Sequence, residues 1–489
     1  MAHDQSVEAR PDPRRWKALA LLGTAFFMVI LDSTIVLTAV PSMQEDLRLS
    51  VSGVQWVLIG YALAFGGLML LGGRVADLLG RRRVFMAGVA LFAVSSLLCG
   101  LAWTGGVLIV SRAVQGVSAA LMAPTALSIV MSMFGEGADR NKALGIWGGL
   151  GGVGATAGLL VGGVVTAGLG WEWIFYINVP VAIALLALSP LLLQKGQASA
   201  AIRTFDAAGA TTITAALLLL VYAVFKLPES GWASVQTTGL LMAASVLVAV
   251  FVVVESRSAA PLVPLRVFRM RTLVSGNLTI FTVGLAVDGM LFPLTLYAQE
   301  VLGYSALQFG LLSAVMTVMS IAGAMAGQSL VTRLGVRATA VPSMLLMGLG
   351  SLLLVRVPAD GSFVNDLLLG LLIFGPGLGG AFVASQIAAL TGVSEEESGL
   401  ASGLVDTSFN IGSAVGISIV TMVAVSRTDQ LLATGRPAPV ALAEGYQSAF
   451  WATVVFAGVG LLAALLLRGT PDTSRPAEQV DAEPVATPK

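Results

Sequence analysis

The chain has 489 residues, 56% of them hydrophobic and 11% charged, and its 27 basic and 27 acidic residues cancel. A typical soluble domain carries about 25% charged residues, so this chain cannot cover a water-facing surface, and no nucleic-acid partner is expected. A single cysteine (Cys99), a single histidine (His3) and five lysines, none followed by Ser or Thr, exclude a disulfide framework, Cys/His metal centres, a histidine triad and a GxxxxGK[ST] phosphate loop.

What remains is an all-α polytopic membrane protein. Its apolar residues fall in blocks of the length that crosses a hydrocarbon core, about 20 residues. The first block, 18–40, follows Arg14, Arg15 and Lys17. It outruns the apolar core of a signal peptide, roughly 7–15 residues, and ends in no small-residue cleavage site, so it reads as a retained span. Further spans are predicted at 54–71, 84–103, 106–131, 143–169, 173–193, 207–225, 235–254, 273–296, 307–331, 338–357, 366–391, 400–426 and 449–467. The stretch 207–254 is the weakest part of this count of about fourteen. Both tails are polar and Pro-rich and are expected to be disordered.

The basic residues supply an independent orientation. If the N-terminus is cytoplasmic, the outside segments hold only Arg48, Lys226, Arg356, Arg427 and Arg436, and Arg112 lies inside the fourth span. Every other Lys and Arg, including Lys195, Arg203, Arg468 and Lys489, falls inside, as the positive-inside rule requires. Both termini are therefore expected in the cytoplasm. One cytoplasmic loop departs, with Glu395, Glu396 and Glu397 and no basic residue.

Charges within spans need a reason, because each costs at least about 2.5–3.5 kcal/mol to insert. Asp32 in span one and Arg112 in span four stand roughly 9–12 Å below the outer surface at the rise of a helix. They are predicted to face a shared cavity and to interact directly or through water. Protonation of Asp32 would then bias the exchange between outward and inward states; a purely structural pair is the competing reading. Asp288 in span nine has nearly the same depth as Asp32, and with Asp406 it is a candidate for binding a cationic group or carrying a proton. Asp206 and Asp366 open spans and are expected to cap helices. Met290, Phe292, Phe281, Phe409 and Asn410 lie on spans that should line a cavity, although packing in the core or against lipid is the commoner fate of such side chains.

Two further patterns follow. After span two, Gly73-Arg74-Val75-Ala76-Asp77-Leu78-Leu79-Gly80-Arg81-Arg82-Arg83 places an acid in a basic loop between two glycines, which predicts a structured turn held by ion pairs. In span five, Gly154, Gly158 and Gly162 are four apart and share one helix face, a smooth seam that suits two bundles rocking on each other. Ordinary tight packing explains any one of these glycines equally well. Gly412 and Gly416 in span thirteen echo them.

In their order along the chain these segments resemble the major facilitator superfamily, and within it the fourteen-span drug:proton antiporters. The stretch from Gly73 to Arg83 is similar to the GxLaDrxGrk signature, with Leu78 where a base is usual. Leu31-Asp32-Ser33-Thr34-Ile35-Val36 with Pro41 resembles the first-span motif, and Arg112-Ala113-Val114-Gln115-Gly116 resembles RxxQG. The glycines of span five with Gly163 resemble the antiporter motif GPxxGG, but Leu159 replaces its Pro. Trp171-Glu172-Trp173-Ile174-Phe175-Tyr176-Ile177-Asn178-Val179-Pro180 resembles WRWxFxxNxP, with Glu172 for Arg.

The resemblance implies a cytoplasmic tail (1–17), a six-helix bundle (18–193), two additional helices with a linker (194–270), a second six-helix bundle (271–468) and a cytoplasmic tail (469–489). It implies a monomer in a bacterial plasma membrane, a host whose high-GC character fits the Ala-, Gly- and Arg-rich, Lys-poor composition. The activity implied is export of small amphipathic drugs or an antibiotic-like metabolite in exchange for protons, with no cofactor. An importer or exchanger of a nutrient is the nearest alternative, and a non-transporting receptor or scaffold lies further off. An enzyme is not expected, because no span pairs a nucleophile with a base.

Overall fold

A computed structural model describes residues 13–194, 206–231, 234–258, 261, 263–394 and 397–467. The predicted tails, up to Asp12 and from 468 onward, lie outside these described residues, as do Lys195, Arg203, Glu395 and Glu396. The described chain is helical, as hydrocarbon demands of a backbone that must satisfy its own N–H and C=O groups.

The helices are α1 (Arg15–Asp46), α2 (Val51–Leu79), α3 (Arg81–Gly100), α4 (Gly105–Met133), α5 (Ala138–Leu169) and α6 (Trp173–Leu192, interrupted at Ile177). Then come α7 (Ala207–Ser230), α8 (Val235–Arg257), α9 (Arg271–Leu296), α10 (Ala306–Leu334), α11 (Val336–Leu354), α12 (Leu368–Leu390), α13 (Ser398–Ala433) and α14 (Ala438–Leu465). Among the described residues, 13 helices are long and apolar enough to cross a bilayer, and the apolar part of α7, Ala208–Val224, is shorter. It falls in the stretch where the predicted count is weakest.

Helices outrun their apolar blocks. The last predicted span, 449–467, begins at Ala438 instead, because Glu444 in its first turns is neutralised by Arg427 (3.4 Å) and Arg436 (3.7 Å). Several helix starts carry side-chain caps: Ser50 accepts from Gly53 N, Thr104 from Val107 N, and Ser305 forms a capping box with Gln308. The sharp turns between α2 and α3 and between α10 and α11 each rest on one glycine, Gly80 (φ 94°) and Gly335 (φ 89°), in a left-handed region that other residues avoid.

The packing repeats. Within the first six helices, α1 packs on α5, α4 and α6, α2 on α4, and α3 on α4 and α6. Among the last six, α9 packs on α13, α12 and α14, α10 on α12, and α11 on α12 and α14, which is the same set of pairings shifted by eight helices. The two sets meet through α5 with α10 and through α2 with α13, a pair of contacts that exchange under the same repeat. Helices α7 and α8 pair with each other, and α7 sits against α2 and α13.

Candidate functional site

Asp32 and Arg112 meet directly. Arg112 Nη1 donates to Asp32 Oδ2 at 2.6 Å, and the side chains are 0% and 1% exposed. Neither opens onto a cavity: both are enclosed in packed protein. Asp32 Oδ1 accepts two further bonds, from Gln115 Nε2 at 2.9 Å and from Asn178 Nδ2 at 2.8 Å. Gln115 also accepts from Arg112 Nη1 at 2.7 Å and donates to Ser96 Oγ at 2.8 Å. The sequence singles out Asp32, Arg112, Gln115 and Asn178 on three different helices, and the fold brings them to one point.

Local packing explains the convergence. Arg112 and Gln115 are three apart on α4 and so share a face. A Cβ on Gly116 would strike the Tyr61 carbonyl, so the glycine lets α2 close on α4 and lays the Tyr61 ring over the guanidinium, 4.2 Å from its centroid. Tyr61 is absent from the sequence-based candidates, since an aromatic residue in a span carries no distinguishing signal. Pro180, two residues after Asn178, lies on the exposed side of α6, away from this cluster.

The glycine face of α5 requires a correction. Gly154, Gly158 and Gly162 do not form the seam between the two sets of helices; they face α1. An added Cβ would meet Phe27 O at 3.2 Å from Gly154, Leu31 O at 2.8 Å from Gly158 and Ile35 O at 2.8 Å from Gly162. The seam against α10 uses a different face, with Gly145, Gly149, Gly152 and the Thr156–Thr317 hydrogen bond. Periodicity identifies a glycine face but not its partner. Gly163 follows this face and is half-buried.

The second set of helices repeats the geometry but not the chemistry. Gly412 and Gly416 on α13 approach the Phe281 and Leu285 carbonyls of α9, as the α5 glycines approach α1. Asp288 stands in α9 as Asp32 stands in α1, counted from Arg271 and Arg15, which open those helices. Ser413 Oγ donates to Asp288 Oδ2, and no basic residue pairs with it among the described residues. Asp406 is half-buried, and among the described residues its carboxylate makes no hydrogen bond; its main-chain oxygen accepts from Asn410 Nδ2 at 2.8 Å. Phe409 packs edge-on against Phe382, Phe281 is half-buried, Met290 is fully buried in the core, and Phe292 is 36% exposed. Asp206 caps α7 as expected, accepting from Gly209 N at 2.7 Å, whereas the cap before α12 is Ser362, and Asp366 within the first turn reaches back to accept from Ser362 N at 2.7 Å.

The predicted turn around Asp77 is also different in detail. Gly73 to Asp77 belong to α2, and only Gly80 makes the turn. Gly73 instead permits the backbone of α2 to touch Gly399 at the start of α13. Asp77, 4% exposed, bonds Arg81 Nε at 3.2 Å and accepts from Leu400 N at 3.1 Å, so it caps α13 from the other set of helices. Arg82 does not pair with an acid among the described residues; it donates to Leu193 O at 3.1 Å, at the end of α6.

A second cross-link at the same end escaped the sequence. Arg140 Nη2 on α5 donates to Leu390 O, the last carbonyl of α12, at 2.8 Å, and Glu136 Oε1 accepts from Gly392 N at 2.9 Å. Ser128 and Ser398 bond at 2.9 Å, and Asn141 Nδ2 donates to Thr332 Oγ1 at 2.9 Å. The Gly80 end is thus tied shut between the two sets. Toward the opposite end α7 lies against both, with Tyr222 stacked on Trp56 and Ser418 donating to Val224 O at 2.8 Å.

Comparisons with known proteins agree with this architecture. The family model described as Major Facilitator Superfamily matches residues 22–417 and 277–488. A puromycin resistance protein of Streptomyces alboniger is 35% identical over 460 residues, covering 93% of this chain and 91% of its own. A cephamycin export protein of Amycolatopsis lactamdurans is 36% identical, covering 90% of each, and a lincomycin resistance protein of Streptomyces lincolnensis is 33% identical, covering 98% and 96%. The solved structure of the human organic anion transporter MFSD10 superposes with a TM-score of 0.64 at 17% identity, covering 94% of this chain and all of that one, a likeness of fold.

Proposed function

The chain belongs to the major facilitator superfamily, and from that premise we propose that it exports a small amphipathic drug or antibiotic-like metabolite from a bacterial cell in exchange for protons. The relatives named for resistance to, or export of, puromycin, cephamycin and lincomycin cover nearly all of the chain and support a cargo of this class. The orientation that fits the basic residues places the Gly80 end and both termini in the cytoplasm. The cross-links at that end then close the cytoplasmic side, and the alternate state requires the first and last six helices to rock apart there.

The enclosed Asp32–Arg112 pair carries the coupling part of this reading. Two opposite charges in a low-dielectric site hold α1 and α4 together, and Gln115 and Asn178 satisfy the remaining carboxylate lone pairs. A proton on Asp32 removes one charge and leaves Arg112 uncompensated, which costs about 3–5 kcal/mol for a buried pair. That is enough to change which of two helix arrangements is preferred. Asp288 and Asp406, with no basic partner among the described residues, are the groups assigned to a cationic cargo or to a second proton.

The test uses inside-out vesicles energised with a proton gradient, with puromycin, lincomycin or a fluorescent lipophilic cation supplied in the external medium. Uptake that collapses on adding an uncoupler supports exchange. Asp32→Asn is expected to show no gradient-driven transport once uptake is normalised to the amount of protein in the membrane. Full gradient-driven uptake by that variant overturns the role given to Asp32.

A further inference from the structure

Helices α1 and α6 leave a groove on the outer face of the molecule, with a volume of about 530 Å³. Its walls are apolar: Ala20, Leu21 and Thr24 from α1, and Val181, Ala184, Leu185 and Leu188 among others from α6. Small residues, Ala20, Thr24 and Ala184, keep it open, and the Thr24 hydroxyl is turned back to its own helix at Ala20 O. One end of the groove is charged. Lys17 lines it, is exposed, and makes no ion pair among the described residues. Beside it Arg14 Nη1 donates to Leu191 O at 3.1 Å, one residue from Leu192 in the groove wall.

We propose that this groove binds an anionic phospholipid, one acyl chain lying between α1 and α6 and the phosphate on the Lys17 ammonium. The dimensions argue for a lipid rather than a soluble ligand. From Leu192 to Pro180 the lining runs twelve residues of α6, or about 18 Å at helical rise. That matches the depth of one leaflet's hydrocarbon, half of about 30 Å. The cation stands where the phosphate of such a lipid lies, at the helix end next to the interfacial Trp16, whose ring carries Lys142 Nζ at 5.2 Å. A zwitterionic headgroup carries its own cation beside the phosphate and so gains less from Lys17 than a net-anionic one, and the site selects on charge. The inference stands whatever solute the protein carries.

The full chain, purified and placed in nanodiscs of equimolar phosphatidylglycerol and phosphatidylcholine with matched acyl chains, is released into native mass spectrometry. Wild type is expected to retain the anionic lipid about fivefold over the neutral one, the factor one lysine supplies near an anionic headgroup. Lys17→Gln should equalise the two, while Lys142→Gln, whose charge sits on Trp16, should leave the preference intact. Ala184→Phe, which fills the groove, should lose the tightly held adduct of either lipid, and Thr24→Leu serves where that variant is poorly folded. An unchanged preference in Lys17→Gln, or a retained adduct in both groove-filling variants, overturns the proposal. Displacement of the lipid by excess inorganic phosphate also overturns it, since a chain held in the groove does not compete with a free ion.

Discussion

Asp77→Asn isolates the strength of the lock at the Gly80 end, because the substitution keeps shape and removes charge. The carboxylate accepts from Leu400 N at 3.1 Å and pairs with Arg81 Nε at 3.2 Å while only 4% exposed, so solvent screens it little. A hydrogen bond to a charged group contributes about 1.5–3 kcal/mol against about 0.5–1.5 for a neutral one. A negative charge at a helix N-terminus adds about 0.3–1 kcal/mol. Losing the charge therefore costs the closed state about 1.5–2.5 kcal/mol, a shift of roughly 10- to 60-fold toward opening at the Gly80 end. Ser402→Cys reports the opening: Ser402 is fully buried, one turn beyond the Ser128–Ser398 bond that ties α4 to α13, and the native Cys99 is enclosed. Modification by a membrane-impermeant maleimide, added from the side that the Gly80 end faces, should accelerate by that factor in Asp77→Asn, up to the ceiling where the open state predominates. Equal rates with and without Asp77→Asn refute the lock.

Arg140→Gln should act in the same direction through α12, raising the Ser402→Cys labelling rate by about 10-fold or more, since it deletes a charged donor on a helix C-terminal carbonyl. Gly158→Val should lower the melting temperature and membrane yield, because the first added carbon already lies 2.8 Å from Leu31 O and overpacking costs about 1–3 kcal/mol, whereas Gly168→Ala, facing open space, should be neutral in the same thermal scan. Asp406→Asn should weaken transport of a lipophilic cation at least several-fold in vesicle assays and spare a neutral cargo. Equal loss for both cargoes removes the assignment to cation binding.

The spans were legible because apolar length is a direct physical demand of hydrocarbon, and the arginine distribution gave their alternation independently. The weak region was α7, whose apolar part is too short to announce itself against the polar residues around it. Asp32 and Arg112 were legible for a related reason: charge in hydrocarbon is costly, so two such residues at one depth imply each other. What the sequence could not contain was the identity of neighbours across helices. The α5 glycines pointed to a close approach but not to α1, and Gly73 looked like a turn residue although it marks a helix crossing. Arg140 read as one more basic residue in a cytoplasmic loop. Its role depends on the end of α12 lying 250 residues away in sequence.

The two halves share backbone geometry and differ in charge, and under the proposed function that difference suits them to different parts of a transport cycle. In the first half the acid on α1 meets Arg112 and Gln115 from α4, which packs beside it. In the second, α12 packs on α9 in the place of α4, but its opening stretch, Leu368-Leu369-Gly370-Leu371-Leu372-Ile373, offers no polar side chain. Asp288 is left with Ser413, and Asp406 with no side-chain partner among the described residues. An acid already held by three donors has little to gain from a ligand, and it responds chiefly to a proton, which breaks a buried pair. An acid with one neutral donor or none gains most from a cation that brings its own charge. On the proposed function, the first half is accordingly the one assigned to sense the gradient and the second the one assigned to receive the cargo. Asp288→Asn probes this division in the vesicle assay: it should suppress export of a lipophilic cation by removing the acid that has only Ser413 as donor, while leaving the Asp32-dependent response to an imposed proton gradient in place.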